Sequence, residues 1–392
     1  MRGGVASLAG LAVLGGLAAG TAHADDDDFG ADVVIFARGS SLFQVDARGR
    51  NETEIAQLPA KVTVRALRSD AEGTVLLADL AGKWAWMALD GQSKALLDLP
   101  CGDGPAQLAD DGSAVVCRSG KAPNQSLIVE LLHAPGTAAK LGTVAAVDVP
   151  PSAARIVGDG ALRKLVWADP AGVWSSAPND AKHRTRAAAD APTRGFLASP
   201  DGARAIAVYP DQVYSDVRHT QPADVLMTLQ LDGKGARRKA IRDGVAVEWS
   251  HDSEWVLVQD GASTCLMRAS GGQYKCWKGF TAASISGDGR WGLALGNRDG
   301  AKGSSSTGSA KKGAKPAKAA PPPPPPKAPA SGEPTDEPEA GDAPPANDDV
   351  SVAPPTGPLS LYRLRLEGAF TDKPTLLVRV VDGAAVWVPR AK

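Results

Sequence analysis

Short apolar segments alternate along most of the chain with polar turns that are rich in aspartate and glycine. In the clearest copies, an apolar segment leads into the turn at residues 199–202 (Ser-Pro-Asp-Gly), 250–253 (Ser-His-Asp-Ser) or 286–289 (Ser-Gly-Asp-Gly), and a strongly apolar segment follows. Aspartate binds backbone N–H groups two residues on, glycine adopts positive φ, and proline fixes the corner before it. The motif therefore predicts a tight turn between two antiparallel strands. We expect its aspartates to form turns, and we expect His251 to be a solvent-exposed turn residue.

A second hairpin follows each of these pairs, so each repeat contains four antiparallel strands, which we call a to d. Seven b strands are predicted, at Val33–Ala37, Thr74–Asp79, Ala114–Cys117, Lys164–Ala168, Ala203–Val208, Glu254–Gln259 and Arg290–Leu295. The first repeat has no a strand, and Ala384–Val388 near the end of the sequence supplies one. The pattern predicts an all-β, seven-bladed β-propeller of four-stranded antiparallel blades, with about 44 residues per blade. The C-terminal strand completes blade one and closes the ring, which removes free sheet edges.

These repeats resemble the TolB-like, WD40-like propeller repeats, whose characteristic mark is a Ser-Pro-Asp-Gly turn between strands a and b. The resemblance extends over most of the chain, and residues 199–202 match that turn in full. It implies a propeller fold and no particular activity. TolB proteins also carry an N-terminal α/β domain, and residues 25–32 are too few to form one.

The first 24 residues have the layout of a secretion signal. Arg2 precedes an apolar Leu/Ala/Gly/Val stretch, and an Ala-His-Ala site at residues 22–24 precedes four aspartates. This layout predicts cleavage between Ala24 and Asp25 and a periplasmic or secreted protein. The alternative is an uncleaved membrane anchor, but the apolar run is short and interrupted by glycine, whereas a membrane span needs about 20 apolar residues.

The cysteine content fits an oxidising compartment, because an even number of cysteines in an exported chain indicates disulfides. The four cysteines are Cys101, Cys117, Cys265 and Cys276. Neither sequence-local pair has the Cys-x-x-Cys spacing of zinc or thioredoxin-like sites. Of the three connectivities we predict the two local ones, Cys101–Cys117 and Cys265–Cys276. Four buried free thiols are the alternative.

Residues 299–358 break the repeat pattern. They contain an unbroken proline run at 321–326, a lysine-rich first half and an acidic second half, with almost no large apolar residues. This composition predicts a disordered insert with a stiff polyproline II segment. The insert falls in the b–c loop of blade seven. The predicted organisation is a signal peptide at 1–24, the first part of the propeller at 25–298, the insert at 299–358, and the rest of blade seven with the closing strand at 359–392.

A long b–c loop in blade five supplies the candidate binding residues. Strands in a blade alternate in direction, so all b–c loops share one face with the insert. The candidates are Tyr209, Tyr214, Asp216, Arg218 and His219. Elaborated loops on one face of a rigid scaffold indicate a contact surface. The alternative is that these loops vary in length because nothing constrains them.

Charge and motifs favour binding over catalysis. The chain has 43 Lys+Arg against 44 Asp+Glu, which argues against electrostatic nucleic-acid binding and against polybasic membrane association. The sequence has no Gly-x-Ser-x-Gly elbow and no His/Cys spacing of a metal site, so we assign no catalytic residue, metal or cofactor. The main hypothesis is a monomeric, non-enzymatic module that binds a protein or a cell-envelope polymer. The alternatives are a mainly structural envelope component and a propeller enzyme, such as a lactonase or other hydrolase, with a site at the central channel.

Overall fold

A computed structural model describes most of the chain between residues 32 and 390, and all regular structure in it is β-strand. The described residues are 32–91, 94–102, 106–119, 126–133, 137–145, 154–158, 163–169, 171–178, 180, 183–189, 194–210, 224–233, 237–242, 244–270, 274–297, 359–365 and 373–390. The predicted signal peptide and the predicted insert lie outside these ranges. Within them, no helix is long and apolar enough to cross a membrane.

The described strands form seven four-stranded antiparallel sheets. The first sheet has the spatial order β28 (Ala385–Val388), β1 (Val33–Arg38), β2 (Ser41–Asp46), β3 (Thr53–Gln57). Sheets two to four each use consecutive strands: β4 (Val64–Ser69), β5 (Val75–Leu80), β6 (Lys83–Ala88), β7 (Leu97–Asp98); β8 (Gln107–Leu108), β9 (Ala114–Ser119), β10 (Ser126–His133), β11 (Thr137–Ala145); β12 (Ala154–Val157), β13 (Lys164–Asp169), β14 (Gly172–Ser176), β15 (Thr185–Ala188).

Sheets five to seven have the same order, so all seven sheets share one architecture. Their strands are β16 (Arg194–Ala198), β17 (Arg204–Pro210), β18 (Asp224–Gln230), β19 (Arg237–Arg242); β20 (Gly244–Trp249), β21 (Trp255–Asp260), β22 (Ser263–Arg268), β23 (Tyr274–Lys278); β24 (Phe280–Ile285), β25 (Trp291–Asn297), β26 (Leu359–Arg365), β27 (Thr375–Val381). Each predicted b strand overlaps the second strand of a sheet. The fold is therefore all-β and propeller-like, as the repeat pattern predicts.

The turns between first and second strands have the chemistry that the motif predicts. The motif aspartate accepts a hydrogen bond from the backbone N–H two residues on, at 3.0 Å for Asp201, 2.9 Å for Asp252 and 3.0 Å for Asp288. The serine hydroxyl spans the turn, since Ser199 Oγ accepts a hydrogen bond of 3.0 Å from the backbone N–H of Arg204. The prediction that these aspartates form turns is confirmed.

The C-terminal strand pairs with the first strand of the chain. β28 runs antiparallel to β1, with Trp387 opposite Val34 and Val388 opposite Val33. Trp387 is 2% exposed, and its indole Nε1 donates a hydrogen bond of 3.0 Å to Asp32. The pairing expected between the C-terminal segment and Val33–Ala37 is thus present.

Neighbouring sheets pack against each other through apolar clusters that draw on both sheets. Five of these clusters join sheets one to two, two to three, three to five, five to six, and six to seven. A sixth cluster joins sheet seven to sheet one through Leu293, Val34 and Trp387.

Both predicted disulfides are present. Cys101 is bonded to Cys117, and Cys265 is bonded to Cys276. Cys265 and Cys276 lie directly opposite each other on β22 and β23, as expected for residues nearly equidistant from a hairpin turn. Two intrachain disulfides are typical of proteins that fold in an oxidising compartment.

Candidate functional site

One position of the repeat brings polar side chains from several sheets together. This position lies two residues before the turn motif, on the first strand of each sheet. In sheets two to seven it is occupied by Arg68, Gln107, Arg155, Leu197, Glu248 and Ser284. All of these except Ser284 line one shallow cleft that is open to solvent and has a volume of about 20 Å³, room for about one water molecule. We name it the inner-strand cleft, and its lining is Arg68, Ser69, Gln107, Leu108, Arg155, Leu197, Glu248, Trp249 and His251.

Arg155 is held in place by two neighbouring sheets. Its Nη2 donates a hydrogen bond of 2.6 Å to Asp110 Oδ1 in the turn of sheet three. Its Nη1 donates one of 3.2 Å to the carbonyl oxygen of Ala198 in sheet five. Arg155 is 8% exposed, so it forms a largely buried ion pair with Asp110. The guanidinium is fixed rather than free to move toward a ligand.

Asp110 lies between two basic side chains. His251 Nδ1 is 3.7 Å from Asp110 Oδ1, which is too long for a hydrogen bond. Burial by itself raises the pKa of Asp110, but the charge and hydrogen bond of Arg155 and the nearby His251 outweigh burial, so this pKa lies below its ordinary value. Asp110 is therefore ionised at neutral pH. His251 is in a turn, but its side chain is only 20% exposed, so the prediction of a solvent-exposed residue is wrong.

Arg68 enters the cleft from β4 with a guanidinium that is not engaged in the same way. Its Nε is buried and has no hydrogen-bond partner among the described residues. Burial lowers the pKa of Arg68, and so does the nearby positive charge of Arg155. The carboxylates of Glu248 and Asp79 raise it, but burial outweighs them, and the pKa lies below its ordinary value. Arginine nevertheless remains protonated in proteins. Arg68 therefore presents a desolvated positive charge to the cleft.

Glu248 and Ser284 use the same repeat position to bind the next sheet. Glu248 Oε2 accepts a hydrogen bond of 2.8 Å from the backbone N–H of Ile285. Ser284 Oγ accepts one of 3.1 Å from the backbone N–H of Trp387. The position therefore has a structural use in sheets six and seven. In sheet two, where it is Arg68, no such bond to the described residues is formed.

Three of the six buried side-chain nitrogen atoms that lack a hydrogen-bond partner among the described residues line this cleft. Arg68 Nε, Arg155 Nε and His251 Nδ1 are buried and have no hydrogen-bond partner among the described residues. All three belong to side chains that line the inner-strand cleft. Buried polar atoms in native structures are nearly always hydrogen-bonded, so these three are exceptions. A search of the described residues for groups of His, Cys, Asp and Glu that could hold a metal ion finds none.

Only one of the five predicted binding residues, Tyr209, lies within the described residues. Tyr209 lies in β17, is 3% exposed and belongs to the apolar cluster of sheets three to five. The other candidates, Tyr214, Asp216, Arg218 and His219, lie outside the described residues. The binding role of these five residues stays a prediction.

Sequence reasoning missed the inner-strand cleft, because its lining comes from five sheets that are far apart in the chain. When the repeats are aligned on their turns, the position two residues before each turn would have pointed to these residues. The repeats are built on apolar strands, and the charged side chains of Arg68, Arg155 and Glu248 depart from this pattern. The first strands of the sheets bring these three charged side chains to the same cleft.

Comparisons with known proteins concern the fold. No family model matches the chain, and no curated protein matches it. Similar solved structures include TolB from Acinetobacter baumannii, 11% identical with a TM-score of 0.42 over 62% of this chain and 62% of that one. The putative TolB from Agrobacterium tumefaciens is 11% identical with a TM-score of 0.40 over 91% and 96%. A putative 6-phosphogluconolactonase from Bacteroides fragilis is 11% identical with a TM-score of 0.48 over 93% and 100%.

The chain spans less than two thirds of the length of the Acinetobacter TolB. TolB proteins are thus among the solved structures to which the chain is similar. A shared fold does not specify a shared function, which must be argued from the site.

Proposed function

We propose that this chain is an exported, non-enzymatic binding module that recognises a protein or a cell-envelope polymer. Its seven sheets are the blades of a closed β-propeller. The cyclic order of packing supports this architecture, since Trp387 and Val34 in sheet one pack against Leu293 in sheet seven. The strand pairing of β28 with β1 joins the two ends of the chain in one sheet. β28 covers the edge of β1 that would otherwise be unpaired.

The proposal includes the domain organisation read from the sequence. Residues 1–24 are a signal peptide cleaved before Asp25, and the mature protein is periplasmic or secreted. Residues 299–358 are an insert within blade seven, between β25 and β26. The register supports this, because Asn297 lies opposite Leu359 on these paired strands. The two disulfides agree with export.

The observation that carries the binding function is the inner-strand cleft. Five sheets contribute to it, so the cleft exists only when the blades are assembled. It combines a concave shape with charged side chains and buried nitrogen atoms that have no hydrogen-bond partner among the described residues. Recognition sites have this character, with a few polar groups held convergently by a rigid scaffold.

Affinity capture tests the binding function. Residues 25–392 serve as bait for a cell-envelope extract, and each captured candidate is then purified and titrated against purified bait. We expect a saturable one-to-one complex with at least one envelope protein or polymer. If no purified candidate binds, the binding function is wrong.

A propeller hydrolase such as a lactonase is the second candidate, because Glu248 and His251 bring a carboxylate and an imidazole to the same cleft. Such a pair is suited to general acid–base chemistry. In this case the purified protein would hydrolyse simple lactones or esters. Glu248→Gln retains the shape and the acceptor for the N–H of Ile285 but removes the charge, so it would abolish turnover.

The predicted contact surface on the b–c face is tested separately. Replacing residues 211–222 with a Gly/Ser linker removes Tyr214, Asp216, Arg218 and His219 without altering the cleft at the other end of the strands. A fall in partner affinity would support the b–c face as the contact surface. Unchanged affinity would assign binding to the cleft face.

A further inference from the structure

A second and larger cavity lies between sheets one and two. It has a volume of about 130 Å³, whereas the inner-strand cleft has room for about one water molecule. Its lining comes from all four strands of sheet one and from β6 and the turn and loop residues near its end in sheet two. We name it the seam cavity, because it lies beside the paired strands β1 and β28. Its walls include Val33, Ile55, Met87, Leu89 and Val388, and Lys94 and Arg390 are at its rim.

The walls of the seam cavity are largely apolar. Val33, Met87 and Val388 are 6%, 1% and 1% exposed and belong to the apolar cluster of sheets one and two. Ile55 and Leu89 are half-buried, pack against the same cluster and also line the cavity. An apolar cavity of about 150 Å³ holds a benzene molecule. The seam cavity therefore has room for one group of phenyl or isobutyl size.

Hydrogen bonds across sheet one hold one side of the rim in place. In the other sheets a turn joins the first strand to the second, whereas β28 and β1 come from opposite ends of the described chain. Asp32 bridges these ends, since its carboxylate accepts hydrogen bonds of 3.0 Å from Trp387 Nε1 and 3.2 Å from the backbone N–H of Arg390. The Arg390 guanidinium in turn donates a hydrogen bond of 3.0 Å to Gln44 Oε1 on β2. The cavity and this part of its rim are thus formed before any ligand binds.

The charges at the rim favour an anionic group. Lys94 is exposed and forms no ion pair among the described residues. Within the same part of the chain, the side chain of Arg390 is hydrogen-bonded only to the neutral amide of Gln44. The carboxylate among the lining residues, Glu54, already accepts a hydrogen bond of 3.0 Å from Ser41 Oγ. Charge complementarity therefore predicts a carboxylate next to the apolar group that enters the cavity.

We propose that the seam cavity receives one apolar side chain of a protein partner, of phenylalanine or leucine size, with a carboxylate of the same segment at Lys94 and Arg390. This inference rests on the proposed binding function and names the chemistry of the partner. An apolar anchor that fills a pocket, surrounded by a polar rim that excludes water, is how interfaces concentrate their binding energy.

Methionine methyl groups can report whether the cavity is occupied. Residues 25–392 retain three of the four methionines of the chain. Met87 lines the seam cavity, whereas Met227 and Met267 pack in the clusters of other sheets and serve as internal controls. With ¹³C-methyl-labelled methionine, titration with N-acetyl-L-phenylalanine should shift the Met87 methyl resonance saturably and leave the other two unchanged. An unchanged Met87 resonance, or equal shifts of all three, would overturn the proposal.

Two related probes separate the apolar contribution from the charge. N-acetyl-L-alanine keeps the carboxylate but lacks the phenyl group, and it should not shift Met87. N-acetyl-L-phenylalanine amide keeps the phenyl group and should bind about threefold more weakly than the acid, since an exposed ion pair contributes little. Lys94→Gln should cause the same loss for the acid and none for the amide. Lys83→Gln, an exposed lysine at the other end of β6, should affect neither, and equal binding of the alanine and phenylalanine acids would contradict an apolar site.

A matched pair of variants tests the cavity itself. Leu89 and Leu96 are both half-buried and pack against the same cluster, but of the two only Leu89 lines the cavity. Leu89→Trp fills the cavity and should weaken N-acetyl-L-phenylalanine at least about tenfold, whereas Leu96→Trp should leave its affinity unchanged. Should Leu89→Trp fail to fold, Ile55→Phe narrows the same cavity from sheet one. Unchanged affinity in a folded Leu89→Trp protein would refute the site.

The same pair separates this inference from the proposed function. A purified partner obtained by the envelope capture should bind the Leu89→Trp protein at least about tenfold more weakly than the wild type and the Leu96→Trp protein equally well. A partner that binds the Leu89→Trp protein as tightly as the wild type would overturn the seam cavity as its site and leave the binding function intact.

Discussion

Asp110 and Arg155 form an ion pair with an N–O distance of 2.6 Å that links sheets three and four beside the inner-strand cleft. Their side chains are 15% and 10% exposed. Arg155 also reaches Ala198 in sheet five, so one guanidinium connects three consecutive sheets. Loss of one partner from a buried pair leaves an uncompensated charge, which is more costly than loss of a surface pair.

The first prediction is that Asp110→Asn lowers the free energy of unfolding at pH 7 by about 3 kcal/mol. The pKa of Asp110 is lowered in the folded state. Its contribution is therefore fully present above the unfolded pKa of about 3.9 and is lost as the pH falls toward the folded pKa. Urea titrations at pH 7 and pH 3 should show the difference from the wild type shrinking at low pH. Asp98→Asn, an exposed carboxylate, should have little effect, and a pH-independent difference would contradict this account.

The second prediction concerns Gly73 in the turn of sheet two. Its φ is +67°, and an added Cβ would overlap the backbone carbonyl of Pro389. Gly91 has a similar φ of +76° but open space around it, so Gly91→Ala isolates the strain of positive φ, about 1 kcal/mol. Gly73→Ala adds a backbone clash between sheets one and two and should cost about 3 kcal/mol. Chemical denaturation measures both, and equal losses would mean that the two sheets are not in close contact.

The third prediction is that the C-terminal strand is required for the stability of the fold. Deleting residues 383–392 removes β28 and exposes the edge of β1, and it also removes the buried Trp387 from the cluster of sheets one and seven. Removal of a buried tryptophan side chain alone costs about 3–5 kcal/mol. The thermal midpoint should fall strongly, whereas deletion of residues 391–392 should leave it unchanged. An unchanged midpoint in the longer truncation would contradict ring closure.

The fourth prediction is that the insert is dispensable for folding. Asn297 and Leu359 are opposed on paired strands, so a short turn can join β25 to β26. Loop closure costs little extra for long loops, and shortening one changes stability only slightly. Replacing residues 301–356 with a short Gly/Ser turn should leave the thermal midpoint nearly unchanged. A large fall would mean that the insert packs on the propeller.

The repeat chemistry explains why the fold could be predicted and the cleft could not. Serine, aspartate and glycine at residues 199–202 specify a turn by local hydrogen bonds, and the apolar segments on either side specify strands. The role of His251 depends on Asp110, a residue of another blade, and no local rule describes that contact. Arg68 and Arg155 are similarly isolated in sequence. Their shared cleft forms only when the first strands of neighbouring sheets lie side by side.

The last prediction concerns the order in which the two disulfides are reduced in the native protein. Cys265 is 0% exposed, but its partner Cys276 lies exposed on the outer strand β23. Cys117 is 2% exposed and packs with Cys101 in the cluster between sheets two and three. A thiolate must reach a disulfide sulfur to attack it, so access controls the rate of reduction.

Limited reduction with dithiothreitol should therefore open Cys265–Cys276 before Cys101–Cys117. Differential alkylation followed by peptide mass spectrometry measures the order. The double variant Cys265→Ser/Cys276→Ser lacks this cross-link and should lower the free energy of unfolding by about 2–3 kcal/mol. The loss is modest because the disulfide closes only a short loop. The same variant should leave the Cys101–Cys117 peptide linked. Reduction in the reverse order, or a linked Cys117–Cys265 peptide in the native protein, would contradict the sheet register, because Cys265 is opposed to Cys276 within sheet six.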